Sequence, residues 1–115
     1  MAFTGNEDHE ISLQDAAVLT KNFRDAQQSA NPILGMYFSK AGIEQVLNQT
    51  GCVGIRVYYG LKEDAPESMI PTLIVCGVDA NEDDMADGVL LDYGKTCPNN
   101  CSAANPLNAE IPDAS

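Results

Sequence analysis

A chain of 115 residues is long enough for one hydrophobic core and too short to divide comfortably into two. Hydrophobic residues make up 44% and charged residues 20%, the balance of a folded chain rather than a disordered one. Seventeen acidic residues against six basic ones leave a formal net charge of −11, a field that repels phosphate backbones and anionic membrane surfaces and so argues against nucleic acid and membrane as partners.

The opening "MAFTGNEDHE" has neither a basic leader nor an apolar run, so it does not read as a secretory signal. No stretch approaches the roughly 18 apolar residues of a membrane span. The expected location is therefore cytoplasmic, where Cys52, Cys76, Cys97 and Cys101 are expected as thiols unless they bind metal. Residues 1–11 form a polar leader, 12–96 a single α+β domain and 97–115 an irregular, cysteine-containing tail expected to be loose.

Ser12, with Asp15 three residues on, marks a helix start, and Leu13, Ala16, Leu19, Phe23 and Ala26 recur on one face of a helix over 12–28. "SANP" ends it, because the residue before Pro32 is pushed out of helical geometry. "ILGMYF" (33–38) fits a strand or a packed connector. Ser39 caps a second helix over 40–50, striped by Ile43, Val46 and Leu47, with Gly51 at its left-handed end.

From Cys52 the period becomes two. Val53, Ile55, Val57, Tyr59 and Leu61 fall on one side of a strand, and Gly54, Arg56, Tyr58 and Gly60 on the other. "KEDAPES" reads as a charged loop, "TLIVCGV" (72–78) as a central strand covered on both faces, and "VLLDY" (89–93) as a third strand returning antiparallel. The fold expected is two N-terminal helices packed on one face of a three-stranded antiparallel sheet, covering its Val53, Ile55 and Val57 side.

Between Lys62 and Lys95 lie nine acidic residues and no basic one. Within that run Asp79, Asn81, Asp83 and Asp87 carry oxygens at the spacing of a calcium loop. Counted from Asp79, the turn glycine and the closing glutamate of such a loop fall on Asp84 and Leu90, and the preceding segment reads as strand. The competing account is that Asp and Asn turn the backbone by bonding neighbouring amides. Carboxylates crowded without a cation are expected to have raised pKa values.

"CPNNC" places Cys97 and Cys101 across a turn, a pair that suits zinc or iron with further ligands, or a small disulfide in air. "GCVGIRVYYGL" followed by "DGVLLDY" resembles the A-type iron-sulfur carriers, and the resemblance implies a cluster-ligand role for Cys52 alone. That family's other two ligands form a Cys-Gly-Cys pair, which this chain lacks, so Cys97 and Cys101 would have to stand in for it. "SKAGIEQVLNQTGCVGIRVYYGL", "LIVCGVDANEDDM" and "CPNNCSAANPL" together resemble a group of small bacterial proteins, a likeness that implies no activity.

His9, the sole imidazole, lies in the leader, far in sequence from any cysteine nucleophile, and no phosphate-cradling glycine motif opens a helix. The expected function is a small acidic, non-catalytic binding or protein-interaction module. Its partner would be another protein or a second copy, met on the face carrying Arg56 and Tyr58. The alternatives are thiolate metal or iron-sulfur binding by Cys52, Cys97 and Cys101, and calcium binding over 79–87.

Overall fold

The computed structural model describes residues 2–28, 32–66 and 68–110, apart from the side chain of Asp64. Most of "SANP" and the last residues of the expected tail lie outside this set. The elements are α1 (Leu13–Ala26), β1 (Gly35–Tyr37), α2 (Lys40–Leu47), β2 (Cys52–Ala65), β3 (Ser68–Asp79), β4 (Leu90–Leu91) and β5 (Lys95–Cys97). Strands β2, β3 and β4 form an antiparallel sheet in that order, and β1 pairs with β5 in a second, two-stranded sheet. The fold class is α+β, and β3 is the central strand, as its apolar run implies.

The chain divides into two compact units, one of residues 1–8 and 37–95, the other of 9–36 and 96–115. In the first, the Ser39 side chain accepts from the Gly42 amide at 3.0 Å and starts α2. Gly51 closes the following turn at φ 86°, a left-handed geometry that glycine adopts without steric cost. Helix α2 packs against β2 and β3. A methyl group placed on Gly42 would touch the Leu91 side chain at 3.6 Å, and Leu91 lies opposite Val75 in the ladder. The helix therefore covers the side of β3 and β4 that holds Val75. Among the described apolar residues only Val46, Val75, Cys76 and Val78 are buried, three of them on the central strand β3, with Val75 on the α2 side and Cys76 on the opposite face.

Strand β2 departs from expectation in two ways. It does not stop at Leu61: Lys62 pairs with Ile70, Glu63 with Met69 and Ala65 with Ser68, so most of "KEDAPES" continues the hairpin. Backbone pairing to β3 overrides the weak strand preference of these charged residues at an exposed hairpin end. The period of two holds, but the apolar side is less covered than expected. Ile55 and Val57, expected beneath helices, are 43% and 42% exposed, and Tyr59 and Leu61 are 92% and 68% exposed. Helix α2 packs against β2 and β3 and meets Leu91 of β4 at Gly42, yet it leaves these four side chains largely exposed.

In the second unit, the Ser12 side chain caps α1 by accepting from Asp15 N at 3.1 Å. No residue of α1 is buried, and Val18, Leu19 and Phe23 are exposed. Helix α1 falls in the unit that holds the C-terminal segment, and α2 packs on the sheet of the first unit. In the described part of the tail, Arg24 donates to Leu107 O at 3.0 Å, Lys21 pairs with Glu110 at 3.2 Å, and Asn105 and Asn108 bond the turns around them. No helix among the described residues is long and apolar enough to cross a membrane.

Candidate functional site

Residues opposite one another in an antiparallel ladder share a face, so Arg56 and Tyr58 of β2 stand with Cys76 and Ile74 of β3. The loop after β3 folds back over this face and sets the Asp84 carboxylate between them, where it accepts from Arg56 Nη1 and the Tyr58 hydroxyl. The Tyr58 hydroxyl, then the Arg56 guanidinium, holds the Asp84 carboxyl below the usual carboxylate range. Asp84 in turn raises the pKa of the Tyr58 phenol and of Arg56. The two side chains expected to meet a partner are thus turned toward a carboxylate of their own chain.

One turn of the ladder further on, Asp92 plays the same part. It accepts from Thr72 Oγ1 at 2.7 Å and from Lys62 Nζ at 2.9 Å, and its pKa is lowered to about 2, with Lys62 the leading cause. The Lys62 ammonium also sits 3.9 Å from the centre of the Tyr93 ring. Two carboxylates therefore neutralise the two cations of β2 on one face.

The acidic loop turns on Asp79. Its Oδ1 accepts from the amides of Asn81 at 2.9 Å and Asp83 at 3.1 Å, while backbone bonds join Glu82 N to Asp79 O and Asp79 N to Asp83 O. This is the backbone role of an Asx side chain. Asp84 moves in the opposite direction from the raised pKa expected of crowded carboxylates, because it has a cation and a phenol as neighbours. Among the described residues, no three His, Cys, Asp or Glu side chains are grouped so as to hold a metal ion.

Cys97 and Cys101 are joined by a disulfide in the second unit. Cys52 belongs to the first, where its thiol donates to Gly54 O at 3.1 Å. Cys76 is buried in β3, and burial pushes its thiol pKa up, as befits a small core residue. The three cysteines named as a ligand set are therefore divided between a disulfide and a thiol bonded to its own strand.

The opposite face of β2 has another character. Ile55, Val57, Tyr59 and Leu61 form an exposed apolar row on a 14-residue strand at the edge of its sheet. Among the described residues, Gly54 O accepts from the Cys52 thiol, and the backbone of residues 55–63 shows no hydrogen bond beyond the ladder with β3. At one end, a methyl placed on Gly5 would lie 3.0 Å from Val53 O, so the N-terminal segment closes the edge at Val53. No family profile, curated protein or solved structure matches this chain. The functional reading rests on the surface itself.

A hollow of about 190 Å³ lies beside Tyr37, Ser39, Gly42, Leu91, Asp92 and Lys95, below the several hundred Å³ usual for organic ligands. The apolar row of β2 was present in the sequence as the strand's best alternation. How far that row is covered was not legible, because it depends on where α2 ends, and the cations on the other side meet Asp84 and Asp92, which are distant in sequence.

Proposed function

We propose that this protein is a non-catalytic interaction module that takes up a partner polypeptide along the outer edge of β2. The observation that carries the reading is the row Ile55, Val57, Tyr59 and Leu61, exposed on an edge strand whose backbone over residues 55–63 has no partner besides β3 among the described residues. A bare edge offers alternating N–H and C=O groups to an incoming strand, and an exposed apolar row gives that strand side chains to pack against. The buried core is small for the apolar content of the chain, so covering this row has a free-energy gain that folding alone does not realise. In a reducing cytoplasm Cys97 and Cys101 would be thiols, and the edge, which belongs to the other unit, does not involve them.

Affinity capture from source-cell lysate, with cross-links mapped by mass spectrometry, tests the reading. The wild-type chain is expected to retain a polypeptide cross-linked within residues 54–62, and Tyr59→Asp with Leu61→Asp to lower retention by about tenfold or more. Retention unchanged by the double substitution, or cross-links confined to α1, would overturn it.

A further inference from the structure

Resting on the reading that β2 takes up a strand, we infer that the strand is β2 of a second copy, paired antiparallel about a two-fold axis through Tyr58. The exposed residues Ile55, Val57, Tyr59 and Leu61 are symmetric about position 58. In that register Ile55 lies across from Leu61 of the other copy and Val57 across from Tyr59, so each exposed apolar side chain meets another. An axis centred on a residue also keeps both rows on one side of the joined sheet, because side chains alternate with a period of two.

Charge selects the same register. Across the axis Arg56 meets Gly60 and Lys62 meets Gly54, so each long cation lies beside a residue without a side chain. Moving the axis to Tyr59 would set Arg56 against Lys62, like charges directly opposed. Moving it to Val57 would set Leu61 against Val53, where the pairing is irregular and Gly5 already packs. Each cation has a carboxylate of its own chain beside it, Arg56 with Asp84 and Lys62 with Asp92, which lessens the repulsion between the strands. The product is a six-stranded sheet of ordinary size, β4-β3-β2 continued by its copy. The net charge of −11 on each chain opposes association at low salt, so the contact belongs to physiological ionic strength.

Sedimentation equilibrium of the full chain, up to about 100 µM, reads the assembly directly. The mass is expected to rise with concentration from 12.3 kDa toward twice that value. Tyr59→Asp is expected to stay at the monomer mass while keeping the wild-type melting curve, since the side chain it replaces is 92% exposed. Oxidising a mixture of Val57→Cys and Tyr59→Cys chains is expected to give a 57-to-59 disulfide, identified by mass spectrometry, because directly opposed Cβ atoms lie within disulfide reach. A chain monomeric throughout would overturn the second copy as occupant, yet leave the edge-strand reading to the capture experiment. A dimer that Tyr59→Asp leaves intact, or links formed only between two copies of position 59, would overturn the proposed pairing.

Discussion

Asp92 gathers a lysine from β2 and a threonine from β3 on one carboxylate, and its pKa of about 2 against an unfolded value near 3.9 makes its ionisation part of the folding free energy. The folded value is the lower one. The stabilisation is therefore complete above the unfolded pKa and is lost as pH falls from about 4 through about 2. With 27% of the side chain exposed, solvent screening limits the contribution to about 1 kcal/mol. Asp92→Asn is expected to lower the melting temperature at pH 7 and to converge on the wild type near pH 2, which melting curves over that range would check. Curves separated by a constant amount across that range would show that Asp92 acts without its charge. Sequence alone read Asp92 as one more charge on a solvated acidic run, because the carboxylate that meets a given cation is set by the β3–β4 register.

At the level of elements, local rules were legible and partners were not. Ser12 and Ser39 cap the helices they were expected to start, Gly51 adopts the left-handed turn, and "TLIVCGV" becomes the central strand. Each depends on neighbours within a few residues or on the apolar content of one segment. The burial of β2 depended on where α2 ends and on where the acidic loop lands. That loop tests the distinction between a turn and a metal site. Asp79→Ala removes the acceptor of two amides and is expected to cost about 1 kcal/mol, measured by thermal melting in calcium-free buffer with chelator. A variant as stable as the wild type without calcium, and deficient only in its presence, would assign Asp79 to the ion instead of the turn.

For the whole molecule, composition implied a folded chain and periodicity an α+β one, and the grouping of its parts followed from contacts distant in sequence. The first helix joins the C-terminal turns through Arg24 and Lys21, the second joins the sheet, and Cys97 pairs with Cys101. What the fold leaves outside its small core is an apolar row on an edge strand, and the functional account stands on that row.

The most direct test is amide hydrogen exchange, resolved by segment, on dilute chain and on associated chain, whether self-associated or bound to the captured partner. The account predicts that association slows exchange in peptides covering residues 54–62, while those covering 13–26 are unchanged. Slowing confined to 13–26, or none in 54–62 when association is demonstrated by mass, would contradict it.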